Sequence, residues 1–445
     1  MNKTASPPPG RRTLLPQVTC PHCWHRFAPE DVLWISSHAE LHGDKLLGPD
    51  RQARFLPSRF TSDGYALDPK GMSCRELACP RCHLDVLRDM LQTEMMFLSI
   101  VGEQASGKSF FLTAMIQQLR QVLFHDFAIK FTDADPASNK VLTGYLDSLF
   151  GREDEEAPVP LKDLIVKTQM GGDLYTPVTF DQQTISYPDP FVFSMQPTEK
   201  HPNAKSAAKL ARMLCLYDNA GEQFRPDAHQ VGNPCAEHLA LSQAILFLFD
   251  PSQDVKFRAE CRGETQAQAG KIKPTQQVTI LNEVARRVKD YAGLPQTELY
   301  GRPLIMVLTK FDAWSHLVEE DDRGDPWVWY EEKNTSGIDV ERIENRSAAL
   351  RALMMRHCKD VVAAAEGFAR DVTYIAVSAL GDRLQVDERT KFVSIRPRDV
   401  QPYWAAVPLL YAVCRALPGL IPRSSRRDRP PGAGAGGGRA DGGVG

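Results

Sequence analysis

Residues 94–124 read EMMFLSIVGEQASGKSFFLTAMIQQLRQVLF. The first eight residues are a short, largely apolar run of the length expected for a fully buried strand. The last sixteen carry apolar residues at helical spacing. Between them stands GEQASGKS: Gly102, four residues, Gly107, Lys108 and Ser109. This is the pattern G-x-x-x-x-G-K-[ST] in the context it requires, after a strand and opening a helix. Glycines let such a loop curl so that successive N–H groups point inward at phosphate oxygens. The helix that follows aims its N-terminal dipole at the same anion. Lys108 is placed to reach the β- and γ-phosphates, and Ser109 to hold Mg²⁺.

Similar runs recur downstream: MLCLYD (213–218), AILFLFD (244–250), PLIMVLTK (303–310) and VTYIAVSA (372–379). Helical patterns cover 276–292, 339–368 and 405–417. FAIKFT (127–132) and PFVFSM (190–195) read as weaker strands, the second at an edge. Alternation of unbroken apolar strands with helices predicts an α/β fold, a mostly parallel sheet with helices on both faces.

In open α/β sheets ligands bind beyond the carboxyl ends of the strands, and three segments fall there. Asp218-Asn219-Ala220-Gly221 offers an acidic residue to support Mg²⁺ through water and a glycine that lets backbone approach a γ-phosphate. Thr309-Lys310-Phe311-Asp312 offers a carboxylate able to accept two N–H donors from guanine; adenine presents an acceptor there and is rejected. The aliphatic stem of Lys310 can lie over the purine. Ser378-Ala379-Leu380 offers backbone N–H groups to the guanine carbonyl oxygen.

Taken in order, GEQASGKS, DNAG, TKFD and SAL resemble the motifs of the Ras-like P-loop GTPases of the translation-factor-related class, over 94–421. The phosphate loop is similar to that of heterotrimeric G-protein alpha subunits, which also carry a Ser before GKS. The resemblance implies a P-loop NTPase fold, GTP and GDP as ligands, Mg²⁺, and hydrolysis of the γ-phosphate. One departure bears on turnover. The family carries Gln after DxxG to orient the attacking water, whereas this chain has Glu222 followed by Gln223. Either can serve the water, or hydrolysis is slow and needs a partner. The threonine that covers Mg²⁺ falls on Thr176 or Thr179, and nothing local separates them. The segment 126–172 is longer than a small G protein needs and reads as an insert, with a helical stretch at 136–150 and an acidic loop containing Arg152.

The remaining signal is metal chemistry. Cys20-Pro-His-Cys23 and Cys79-Pro-Arg-Cys82 are two C-P-x-C knuckles, and two such turns complete a tetrahedral Cys₄ zinc site. The 55 residues between Cys23 and Cys79 exceed the usual spacing, so an inserted subdomain, 24–78, has to bring the knuckles together. His22, His25, Cys74 and His83 are alternative ligands. A closed Cys₄ site leaves no position for substrate, so the zinc is read as structural, with a partner protein as its second use. This zinc-ribbon-like module (18–92) joined to a GTPase domain is similar to the layout of the bacterial double-GTPase proteins of conflict and regulatory systems.

Composition bounds the rest. The 445 residues are 42 % apolar and 24 % charged, enough for two or three domains. Lys+Arg is 53 against Asp+Glu 56, a net charge of −3, so no strong nucleic-acid signal is present. No apolar run approaches the ~20 residues of a membrane span. The ten cysteines and an N-terminus without an apolar leader read as a reduced, cytoplasmic chain. Residues 1–17 and the Gly/Arg/Pro-rich 422–445 are expected to be disordered. The leading expectation is a GTP-hydrolysing switch. The rivals are a P-loop ATPase of another class and a nucleotide-binding scaffold with little turnover.

Overall fold

The computed structural model describes residues 13–103, 106–165, 174–219, 221–224, 237–261, 275–318, 324–386 and 392–424. Its body is a seven-stranded sheet: β1 (Met95–Gly102), β2 (Ile129–Asp133), β3 (Phe191–Pro197), β4 (Arg212–Asp218), β5 (Ala244–Phe249), β6 (Leu304–Leu308) and β7 (Val372–Ala376). The spatial order is β2-β3-β4-β1-β5-β6-β7. Strands β4, β1, β5, β6 and β7 run parallel, and β3 is antiparallel to both of its neighbours. The first strand is thus central, and the chain goes to one side of it and then to the other. Such a reversal point opens a crevice at the carboxyl end of the sheet.

The strands expected from apolar runs form within a few residues of their sequence bounds. Every residue of β5 and β6 is buried, as strands covered on both faces require. One face packs against α1 (Lys108–His125), α2 (Lys140–Phe150) and α6 (Val407–Ala416). The other face is shared. Over β5, β6 and β7 it meets α3 (Thr275–Ala292), α4 (Val340–His357) and α5 (Lys359–Phe368). Over β3, β4 and the start of β1 it meets the cysteine-bearing module: Phe97, Val192, Met213, Cys215 and Tyr217 share one apolar cluster with the four knuckle cysteines, Trp24 and Phe27. The expectation of helices on both faces therefore holds for only half of the second face. The module supplies the missing layer, because its aromatic residues bury the apolar side chains that a helix would otherwise cover.

Four further differences have local causes. PFVFSM is an inner strand, because part of the supposed insert, Ile129–Asp133, takes the edge. The pattern 339–368 divides into two helices at Cys358, where φ is −129° and ψ 45°, with no Gly or Pro to announce the break. Residues 422–424 are held to the body, Pro422 accepting from the Ile338 N–H at 2.8 Å and Ser424 donating to the Ile338 carbonyl at 2.9 Å. At the other end Leu15 donates to the Leu91 carbonyl at 2.8 Å, so order begins before 18. No helix among the described residues is long and apolar enough to cross a membrane.

Candidate functional site: a phosphate loop beside a Cys₄ centre

The carboxyl ends of five parallel strands bring the sequence motifs to one edge. Gly102 ends β1 where a Cβ would lie 2.7 Å from the Leu248 carbonyl oxygen, so no other residue fits without moving β5. Gly107, at φ +89°, turns the chain into α1 with open space around it. Lys108 folds back, its Nζ donating to the carbonyls of Gly102 at 2.8 Å and Glu103 at 3.2 Å. It thereby ties the two ends of the loop together. Ser109 is the second residue of α1. Gln104 and Ala105, inside the loop, lie outside the described residues.

Asp218, buried at the end of β4, pairs in register with Ile100 of β1. Gly221–Phe224 forms a short 3₁₀ turn. Arg287 of α3 fixes it, donating through Nη1 to the Gln223 carbonyl at 2.8 Å and lying over the Phe224 ring. The side chain of Glu222 lies outside the described residues.

On the other side of β1 the second and third motifs meet. Ser378 donates its hydroxyl to Asp312 Oδ1 at 2.6 Å. Burial raises the Asp312 carboxyl above its ordinary range, against the pull of that bond. Lys310, in left-handed conformation at φ +56°, extends its ammonium to Asp250 Oδ2 at 2.6 Å. Asp250 also caps the following turn through Ser252, so it both caps that turn and anchors Lys310. That pairing had no signal in the sequence beyond a carboxylate at a strand end. The Ser378 N–H donates to the Tyr403 carbonyl at 3.1 Å.

Thr176 and Thr179 stand on a hairpin, Tyr175–Phe180 with Gln183–Pro188. Their environments separate them. Thr179 shares its exposed hydroxyl with Thr184 at 3.0 Å. Thr176 donates to Asp189 Oδ2 at 2.7 Å. Asp189 lies two residues before Phe191, which pairs with Leu216, two residues before Asp218. Thr176 is therefore held at the site edge, on a carboxylate.

The cysteines form a second centre. Cys20, Cys23, Cys79 and Cys82 are fully buried, with their sulfurs all within 4.8 Å of one another. Cys20 to Cys82 and Cys23 to Cys79 are each 3.7 Å. Four sulfurs at ~2.3 Å around tetrahedral zinc lie about 3.8 Å apart, so the spacing fits the ion. Burial pushes the Cys20 thiol well up, and contacts from its neighbours pull Cys79 down; a cation is what lets four thiolates share this space. Three of the four alternative ligands are engaged elsewhere, His22 with Asp189 at 3.1 Å, His83 with Asp44 at 2.6 Å and Cys74 with the Met72 carbonyl, and the His25 ring stacks on Phe27. The long insert closes this gap by pairing Leu33–Ile35 with both Leu77–Ala78 of the second knuckle and Arg54–Phe55. Asp68 ties its loops by accepting N–H bonds from Ser37, His38, Lys70 and Met72.

No described protein-family model matches the sequence. The chain is 23 % identical over 394 residues to SaeC of Mycolicibacterium smegmatis, a proposed ESX-1 scaffolding and assembly protein, covering 81 % of this chain and 91 % of that one. Among solved structures it is similar to the S. cerevisiae Ski7 GTPase-like domain bound to GTP (TM-score 0.25, 13 % identity) and to Sup35 complexed with GDP (0.22, 15 %). Each likeness covers 66 % of this chain, which spans 46 % and 39 % of theirs, and the scores are too low to establish a fold family. The chain is thus a mixed α/β protein with one large sheet and a buried group of four cysteines that could hold zinc.

Proposed function

We propose that this chain is a guanine-nucleotide switch of P-loop NTPase type that hydrolyses GTP with Mg²⁺. The observation that carries the reading is the meeting, at one strand-end edge, of a GKS loop, an acidic DNAG segment and the Asp312–Ser378 pair. In this reading Lys108 leaves its own loop carbonyls for the β- and γ-phosphates. Ser109 and Thr176 hold Mg²⁺, with Asp218 supporting a metal-bound water. The Gly221 N–H meets the γ-phosphate, and Glu222 or Gln223 orients the attacking water. Asp312 accepts the guanine N–H pair, which restores the partners that its burial removed. Zn²⁺ on the four cysteines is structural.

A second reading keeps the nucleotide and drops fast turnover: a scaffold whose nucleotide sets its shape, with a protein partner as its effector. Glu222 in the place of Gln supports it, as does the similarity to a proposed scaffolding and assembly protein. Single-turnover hydrolysis separates the two, since a scaffold of this kind releases no phosphate with or without a partner.

The guanine assignment is tested by Asp312→Asn, which exchanges an acceptor for a donor. The variant should lose at least about 100-fold in GTP affinity and gain xanthosine triphosphate binding, as a mismatched buried hydrogen bond requires. Unchanged GTP affinity in the variant would exclude Asp312 from base recognition.

A further inference from the structure

Two separate segments of the nucleotide edge end on the first knuckle. In the first path Asn219, the second residue of DNAG, holds the Ile100 carbonyl through Nδ2 at 3.0 Å and accepts from His238 Nε2 at 2.6 Å. The His238 ring stacks on Trp24 at 5.3 Å between centroids. Trp24 donates its indole N–H to the Tyr217 oxygen at 3.0 Å, and Tyr217 donates to the Pro21 carbonyl at 2.5 Å. In the second path Thr176 bonds Asp189, whose other oxygen pairs with His22. Pro21, His22 and Trp24 are the residues that frame Cys20 and Cys23. Asn219, Tyr217, His238 and Trp24 are all buried, so a displacement of one has no solvent gap in which to dissipate.

We propose that the first knuckle is a coupling element: the nucleotide state sensed at Asp218, Asn219 and Gly221 is transmitted to Cys20 and Cys23, and zinc exchange therefore depends on the bound nucleotide. The inference rests on the nucleotide reading of the edge. Its moving part is Asn219, which shifts when Gly221 is drawn to a γ-phosphate and relaxes when that phosphate leaves. Asn219 is two residues away and is bonded on both sides, so it follows the backbone. A shift of Asn219 lengthens or breaks its bond to His238. His238 then ceases to fix the Trp24 ring. Trp24 itself sits at φ +54°, a conformation a non-glycine residue keeps only when its surroundings hold it. Loosening that turn loosens the two thiolates it carries.

The test uses full-length, zinc-loaded protein, a colorimetric chelator in excess, and parallel measurement of bound nucleotide. Zinc release should be at least about fivefold faster with a non-hydrolysable GTP analogue than with GDP, the low end of ordinary coupling between sites. His238→Phe keeps a ring on Trp24 and removes the donor to Asn219; it should bring the two rates within about twofold of each other. Asn219→Ala, which cuts the same link from the other side, should do likewise. Asp44→Asn, at the second knuckle, should speed release in both states and preserve their ratio. Equal rates in the wild-type protein with nucleotide demonstrably bound, or slower release with the GTP analogue, would overturn the coupling alone. A ratio untouched by both His238→Phe and Asn219→Ala would overturn this route. Absence of any bound nucleotide would overturn the functional reading and this inference together.

Discussion

The two C-P-x-C knuckles are near copies of each other. In each the first cysteine N–H donates five residues on, Cys20 to the His25 carbonyl and Cys79 to the Leu84 carbonyl, both at 2.9 Å. In each an amide donates to that cysteine's sulfur at 3.4 Å, from His22 in one and Arg81 in the other. In each the residue after the second cysteine is left-handed, Trp24 at φ +54° and His83 at +62°. The backbone bonds and turns are the same; the side chains the two knuckles present are not. His83 turns to Asp44 and fastens the knuckle to its own insert. Trp24 turns to Tyr217 and His238 and fastens the knuckle to the strand that carries DNAG. Local spacing thus brings the four sulfurs together, and the side chains beside them, Trp24 and His22 in one knuckle and His83 in the other, decide what the cluster is connected to.

The largest expected effect should not distinguish the two halves. Cys23→Ser and Cys82→Ser each leave three sulfurs for the ion, and structural zinc contributes about 10–16 kcal/mol of apparent binding energy. Both variants should fall well below one zinc per chain by metal analysis. One variant retaining full zinc would break the symmetry. The next effect should distinguish them. Trp24→Ala removes a buried indole and its hydrogen bond and should cost about 3–5 kcal/mol in urea unfolding. His83→Ala removes one partner of Asp44, which keeps the Leu46 and Leu47 amides, and should cost about 1–3 kcal/mol. Only the tryptophan variant should change nucleotide affinity; the reverse order would undo the contrast. The smallest effect separates the two threonines. Thr176→Ala should cost about 1 kcal/mol through its lost bond to Asp189. Thr179→Ala, at an exposed hydroxyl, should stay within about 0.5 kcal/mol. Equal costs would mean that Asp189 does not hold Thr176.

Much of the fold was readable because β1, β4, β5, β6 and β7 are buried on both faces and so are written as unbroken apolar runs. The turn at GKS was readable because a left-handed Gly107 between a buried strand and a helix start leaves few alternatives to glycine there. The Cys₄ group was readable from two matching short spacings. What escaped depends on contacts between residues far apart. Nothing in LPQVTCPHCW says that Trp24 will cover β4 in place of a helix, or that Asp189 will receive both Thr176 and His22. PFVFSM was misplaced as an edge because strand position is set by which neighbour arrives, here a stretch that read as insert. Asp250 caps its own turn, and its second bond, to Lys310, joins strand ends that lie 60 residues apart.

The most direct test of the account is calorimetric titration of zinc-loaded, nucleotide-free protein with GTP and, separately, with ATP, each with Mg²⁺. The account predicts that GTP binds at least about 100-fold more tightly than ATP, because Asp312 meets two donors in one base and an acceptor in the other. Equal affinity for the two nucleotides, or binding of neither, would contradict it.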